Sequence, residues 1–152
     1  MFLVDIEDLP ELLELQREAY APDFAGLGWT DDSPLEETLE HLREEYRRCN
    51  IYKVLDPEGR IAGSIRGAVS GGSLWIGRLM VSPSCQRQGI GRFLFRELQR
   101  HLPHHRAWLW ACLQMPHTYD FYLREGFVPV ETLVENPKLT WVRMEKAGGS
   151  VA

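Results

Sequence analysis

Gln86, Gly89 and Gly91 stand in the pattern Gln-x-x-Gly-x-Gly, with Arg87 inside it and Arg92 directly after. Residues of these types at this spacing suit the binding of a phosphate. The apolar run Leu79-Met80-Val81 ahead of Ser82-Pro83 reads as a strand end, and the chain from Gly89 onward reads as a helix start. The first turn of a helix leaves backbone N–H groups unpaired and carries the positive end of the helix dipole. Glycine there lets a phosphate approach the backbone with no Cβ in the way. The two arginines add charge-assisted donors. Two familiar phosphate loops do not fit. A dinucleotide fingerprint needs a third glycine where Leu94 stands, and a Walker A loop needs a Gly-Lys-Ser/Thr triplet that the chain lacks. A glycine-eased start to an amphipathic helix, without any ligand, is the structural alternative.

Other groups with chemical potential are scattered. Tyr122 sits in an aromatic cluster with Tyr119, Phe121 and Phe127. Asp23, Asp31, Asp32, Glu36 and Glu37 gather in one acidic segment with Phe24 and Trp29. Such a segment steers cations, or simply solvates a helix face. Arg66 and Arg78 fall inside strand-like runs, where an arginine needs a partner. That partner is either an internal carboxylate or an acid group on a ligand. His41, His104 and His105 lack zinc-ligand spacing, so solvated or capping roles are expected and no metal is. Cys49, Cys85 and Cys112 are odd in number and share no close spacing, which favours reduced thiols over a disulfide framework or a zinc knuckle.

The elements that must position these groups follow from periodicity and punctuation. After an edge strand at 2–4, Leu9, Leu12, Leu13 and Tyr20 recur at helical spacing, with Asp5 and Asp8 as cap candidates. Residues 21–33 carry Pro22, Gly26 and Gly28 and read as an irregular loop. Ser33-Pro34-Leu35-Glu36 spells a capping box with proline at the first helical position. Leu35, Leu39, Leu42 and Tyr46 then give the stripe of a second helix. Strands follow over 51–55, 60–70 and 74–81, the last two joined by Gly71-Gly72 as a hairpin. Ile90, Leu94, Leu98 and Leu102 mark the clearest helix, which Pro103 stops. A tryptophan-rich strand at 107–112, a short helix at 118–124, and strands at 128–133 and 139–146 complete the chain. The order β-α-α-β-β-β-α-β-α-β-β implies an α/β fold, an α+β mixed sheet with helices on both faces.

A chain of 152 residues fits one domain, here 1–146 with a loose tail at 147–152. Its 44% hydrophobic and 26% charged residues exclude wholesale disorder. A net charge of −5 argues against a general nucleic-acid binder. No apolar run nears the roughly 18 residues of a membrane span, and the first residues lack the character of a signal peptide. The expectation is a soluble, cytoplasmic protein that engages neither nucleic acid nor membrane.

The phosphate-loop pattern, placed after Leu79-Met80-Val81-x-Pro83, resembles the acetyl-CoA pyrophosphate loop of the GCN5-related N-acetyltransferases (GNAT family). Phe121-Tyr122-Leu123-Arg124-Glu125-Gly126-Phe127 resembles that family's Phe-Tyr-x-x-x-Gly-Phe segment. Both motifs occur in the family's order with a strand between them, and the element order of nearly the whole chain is similar. The resemblance implies a single-domain fold with a mostly antiparallel sheet splayed between its fourth and fifth strands. It implies acetyl-CoA as co-substrate, without metal, and transfer to a primary amine of a small molecule or peptide by direct attack in a ternary complex. Backbone at Leu79, Met80 and Val81 would pair with the pantetheine arm. Gln86 would open the pyrophosphate loop, and the amides of Arg87, Gln88, Gly89, Ile90, Gly91 and Arg92 would hold it.

Tyr122 would serve as the catalytic acid toward the leaving thiolate. Its alternative is a plain aromatic packing role. Some relatives carry a glutamate base where Trp75 stands, so the base is unassigned, with Asp31, Asp32, His117 and Glu131 as candidates. Met115 stands near where many members place an asparagine. Family members often pair, which makes a homodimer an expectation. A non-catalytic acyl-CoA-binding sensor on the same fold is the alternative function.

Overall fold

Ile90, Leu94, Leu98 and Leu102 recur at helical spacing, and the strand that receives them is cut back to match. A Cβ on Gly63 would lie 2.9 Å from Ile90, and one on Gly67 would lie 3.0 Å from Leu98. The two glycines flank the fully buried Ile65 on one strand face, so the helix lies directly on the backbone. Leu94, Phe95 and Leu98 are themselves fully buried there. Each such side chain stabilises the fold by about 1.5–3 kcal/mol, and truncating Leu98 to alanine would cost about 2–5 kcal/mol.

The computed structural model describes residues 1–29 and 33–148. Its elements run β1 (Phe2–Leu3), a 3-10 turn (Ile6–Asp8), α1 (Leu9–Phe24), α2 (Leu39–Arg48), β2 (Asn50–Leu55), β3 (Ile61–Ser70) and β4 (Ser73–Val81). A second 3-10 turn (Pro83–Cys85) leads into α3 (Ile90–His101). Then come β5 (Arg106–Cys112), α4 (Pro116–Arg124), β6 (Val128–Asn136) and β7 (Leu139–Ala147). The seven strands lie in the order β1-β2-β3-β4-β5-β7-β6. Every neighbouring pair is antiparallel except β4 and β5.

One face of the sheet, with Ile65, Leu74 and Ile76, packs on Leu94, Phe95 and Leu98 of α3 and on Tyr122 and Phe127. The other face, with Ile51, Ile61 and Met80, packs on Leu9, Leu12 and Leu13 of α1 and Leu42 of α2. The expected mixed sheet with helices on both faces is what forms. Among the described residues no helix is long and apolar enough to cross a membrane. The proposed tail differs slightly, since β7 runs on through Ala147. Residues 149–152 lie outside the described residues.

Two local expectations fail, both for tertiary reasons. The loop expected from Ala21 is still helix, for α1 continues to Phe24 past Pro22. Proline removes one helical hydrogen bond but keeps a helical φ. The last turn is held by burial of Phe24 against Trp29 and Trp141. The helix expected from Ser33 starts later. Ser33 Oγ accepts from Leu35 N at 3.2 Å and its carbonyl from Glu36 N at 3.1 Å, which closes an isolated turn. The true cap is Thr38, whose Oγ1 accepts from His41 N at 3.1 Å. Gln16 of α1 holds the intervening turn by donating to Pro34 O at 3.0 Å and to Glu37 Oε1 at 2.8 Å. Those buried bonds override the capping signal.

Candidate active site

The parallel pairing of β4 and β5 covers only three residue pairs, from Ser73 with Arg106 to Trp75 with Trp108. Past Trp75 the strands part, so among the described residues the β5-side edge of β4 has no strand partner from Ile76 to Val81. The gap forms a cleft of about 1060 Å³. Its floor is the free edge of β4 and the end of β5, and α1 and α4 form its sides.

A bulge shapes this floor. Arg66 faces Gly77 and Ser64 faces Met80, so Ile65 alone opposes both Arg78 and Leu79. Arg78 takes φ of 50°, in the left-handed region, at a cost of about 1–2 kcal/mol for a side chain with a Cβ. Contacts on Arg78 and on the neighbouring Leu79 steady the bulge. The Arg78 guanidinium lies 5.6 Å from the Trp29 ring centre, and its Nε lies 4.0 Å from Glu37 Oε1. Tyr20 donates its hydroxyl to the Leu79 carbonyl at 2.8 Å.

At the mouth, Gln86 is extended and Arg87 takes φ of 65°. Gly89 caps α3 at φ of 78°, a conformation open to glycine and unfavourable for other residues. The first helical bond runs from Phe93 N to the Gly89 carbonyl. The amides of Ile90, Gly91 and Arg92 thus have no helical acceptor. Gly91 is ordinary helix, and a Cβ there would touch only Val81 Cγ2, at 3.6 Å. Neither backbone nor packing demands glycine at 91, and the space its Cβ would fill borders the cleft. An open strand edge, a bare helix N-terminus, two arginines and this reserved space fit an extended ligand with a phosphate group. Of the ten residues expected to bind cofactor, all but Gln88 line the cleft.

Tyr122 also lines the cleft and is 8% exposed. Its ring packs 5.4 Å from Phe95, centre to centre, so the expected aromatic cluster is real. Among the described residues its hydroxyl makes no hydrogen bond. Burial raises its pKa, with the nearby Tyr20 adding to the effect. The phenol therefore keeps its proton at neutral pH and is suited to donate it.

The far end of the cleft is aromatic and charged. Trp29 and Trp141 meet edge to face at 4.6 Å, beside Phe24. Trp75 lies so close over Gly77 that a Cβ there would sit 2.2 Å from its ring.

Glu37, read from sequence as one acid in a steering segment, is instead the centre of a buried network. Arg66 donates to its two oxygens at 2.8 and 3.3 Å, and Gln16 adds a bond at 2.8 Å. Burial alone would raise the pKa of Glu37. The Arg66 bonds and charge, helped by Gln16 and Arg78, overcome this and hold it at about 2. Arg66 thus has the internal carboxylate that the sequence left open. Of the four base candidates, His117 lines the cleft. Glu131 lies exposed on β6 near Arg143. Asp31 and Asp32 lie outside the described residues. Met115 borders the cleft and Cys85 does not.

Sequence reasoning missed Tyr20, Glu37 and His41 as parts of this site. Tyr20 was legible only as a helix-stripe residue. The bulge at Arg78 left no mark but an arginine in a strand.

The family profile described as the acetyltransferase (GNAT) domain matches residues 30–147. The chain belongs to the GNAT family. Solved GNAT structures share its fold across nearly their whole length. The PaiA N-acetyltransferase of Thermoplasma acidophilum, in complex with coenzyme A, is 22% identical with a TM-score of 0.79 over 95% of both chains. The ribosomal-protein-S18-alanine N-acetyltransferase of Escherichia coli is 18% identical, with a TM-score of 0.78 over 99% of this chain and 93% of that one. The spermidine N-acetyltransferase of Vibrio cholerae, in complex with coenzyme A and spermine, is 19% identical with a TM-score of 0.74 over 96% and 93%. No curated protein sequence matches the chain. Splaying of the fourth and fifth strands, expected of a GNAT member, is the feature that opens the cleft.

Proposed function

We propose that this GNAT chain is an acetyl-CoA-dependent N-acetyltransferase that moves an acetyl group to a primary amine of a small molecule or peptide. The observation that carries the reading is the cleft between the parted β4 and β5, which leads from the bare N-terminus of α3 to the hydroxyl-bearing ring of Tyr122. The amides at the α3 start, with Arg87 and Arg92, would hold the pyrophosphate. The free edge of β4 at Leu79, Met80 and Val81 would pair with the pantetheine arm, although Tyr20 already occupies one lone pair of the Leu79 carbonyl. Tyr122 would give its proton to the departing sulfur, a role its raised pKa supports.

The acceptor end favours a protonated amine carried on an apolar or aromatic body. Phe24, Trp29 and Trp141 supply apolar walls, and Asp23, Glu45 and Glu135 supply negative charge. The three unpaired thiols fit a reducing compartment such as the cytoplasm.

Calorimetric titration with acetyl-CoA and with desulfo-coenzyme A, followed by thiol release with phenethylamine, spermidine and a lysine peptide, tests the reading. Saturable one-to-one binding with amine-dependent thiol release is the expected result. No binding at millimolar cofactor would sink it. Trp75 at the position of the expected base favours a second reading, an acyl-CoA sensor without turnover. Binding without thiol release for any amine would select the sensor.

A further inference from the structure

The flat ring of Trp75 fills the place where a strand carboxylate was sought, so a proton acceptor for the incoming ammonium must come from another wall. Helix α2 supplies one. His41 lines the acceptor end of the cleft with its side chain 44% exposed. Its backbone N–H is fixed by the Thr38 cap at 3.1 Å, and its Nδ1 lies 2.5 Å from Glu37 Oε2.

The tautomer follows from the partner. Glu37 is ionised and can only accept, so Nδ1 carries the proton and donates it. In the neutral ring the lone pair is left on Nε2. Among the described residues, nothing bonds to Nε2. The carboxylate is itself immobile, held by Arg66 and Gln16. Glu37 also connects the imidazole to the reaction floor, because its other oxygen lies 4.0 Å from Nε of Arg78 in the bulge. Among the described residues, Glu45 of α2 lies within 4.8 Å of the Glu37 and His41 ligand atoms, and Asp23 of α1 and Glu135 of β6 line the same cleft. Glu45 accepts from the Cys49 thiol at 3.3 Å, and Glu135 from Trp141 Nε1 at 2.9 Å. Glu37, His41 and Glu45 are close enough to share a metal ion. The oxygens of Glu37 are already committed to two guanidinium nitrogens, an amide and the imidazole, which leaves a cation little to bind. A held carboxylate, an oriented imidazole and a free nitrogen form the arrangement that makes histidine a general base elsewhere.

The geometry assigns His41, oriented by Glu37, as the general base that deprotonates the acceptor amine; this rests on the N-acetyltransferase reading above. The ammonium R–NH3+ loses one proton to His41 Nε2, which passes it to solvent. The neutral nitrogen attacks the thioester carbonyl, forming the C–N bond as the C–S bond breaks. Tyr122 gives its phenolic proton to the sulfur and regains one from the nitrogen by way of solvent. The products are the acetamide, coenzyme A thiol and one released proton. Glu37 is a positioning residue in this step.

The test compares two amine probes in the wild type and in His41→Gln. Phenethylamine is an ammonium near neutral pH and needs a base, whereas methoxyamine is already neutral and does not. His41→Gln is expected to bind coenzyme A and melt like the wild type. It should lose about a hundredfold or more in kcat with phenethylamine, yet stay within about threefold with methoxyamine. In the variant the rate with phenethylamine should track the fraction of free amine, rising steadily with pH, and the wild type should exceed it most near neutral pH. Equal loss with both amines, or loss with neither, overturns the assignment of the base and leaves the transferase reading standing. If the wild type binds coenzyme A but acetylates neither of these amines nor spermidine nor the lysine peptide, the transferase reading falls and takes this assignment with it.

Discussion

Replacing Gly91 with alanine should push stability and cofactor affinity in opposite directions. The residue is helical, and the added methyl group would make one ordinary contact, 3.6 Å from Val81. Alanine is better than glycine by about 1 kcal/mol in a helix interior, and roughly half of that applies in the first turn. For a chain of this size, about 0.5 kcal/mol corresponds to a rise of about 1–2 °C in Tm. The same methyl group would stand over the α3 amides where the phosphate is proposed to sit. Losing one amide bond to a charged group costs about 1.5–3 kcal/mol, or roughly ten- to a hundredfold in Kd. Gly89→Ala is the contrast. At φ of 78° it would strain the backbone by about 1–2 kcal/mol, so fold and binding would weaken together. A thermal melt of the free protein beside a calorimetric titration with coenzyme A reads both effects. An unchanged Kd with a raised Tm would refute the claim that Gly91 is kept bare for a ligand. A lowered Tm would refute the described geometry of the helix start.

Tyr122→Phe should reduce kcat by about a hundredfold while the Kd for coenzyme A stays within about twofold, a split that single-turnover and binding measurements resolve. Because burial raises the Tyr122 pKa, wild-type kcat should show no loss of this acid up to the ordinary phenol value of about 10, read from a rate profile against pH. Glu37 has its pKa lowered from 4.5 to about 2, so its contribution is complete above pH 4.5 and fades as pH falls toward about 2. That contribution is on the order of 3 kcal/mol, and denaturant titrations across the window should show the decline in the wild type and its absence in Glu37→Gln. Glu37→Gln leaves the Arg66 guanidinium buried without its counter-charge and should cost about 3–5 kcal/mol, whereas the pair Glu37→Leu with Arg66→Met should recover most of it. A double variant as unstable as the single one would show that the network is more than a compensated charge pair.

What could be read from sequence was whatever local chemistry decides. The stripe of Ile90, Leu94, Leu98 and Leu102, the Gly71-Gly72 hairpin and the glycine-marked start of α3 depend on neighbours within a few residues, and all formed as expected. The misses depend on partners far along the chain. Ser33 carries a good capping signal, but Gln16 and Arg66 draw Glu37 into the interior and move the helix start to Leu39. Pro22 looked like a helix stop until Phe24 found Trp29 and Trp141. The acceptor end was the least legible part for the same reason. His41 becomes interesting only once Glu37 is known to be buried and ionised beside it.

The seam of three residue pairs between β4 and β5 also bears on how the molecule comes together. β1 to β4 pair with strands adjacent in sequence, and β5, β7 and β6 form a second plate from the last third of the chain. The two plates share little backbone pairing. A ligand lying in the gap would touch both and supply some of the stitching that the seam lacks. Its binding free energy then appears directly as resistance of the whole chain to unfolding, growing with the logarithm of ligand concentration.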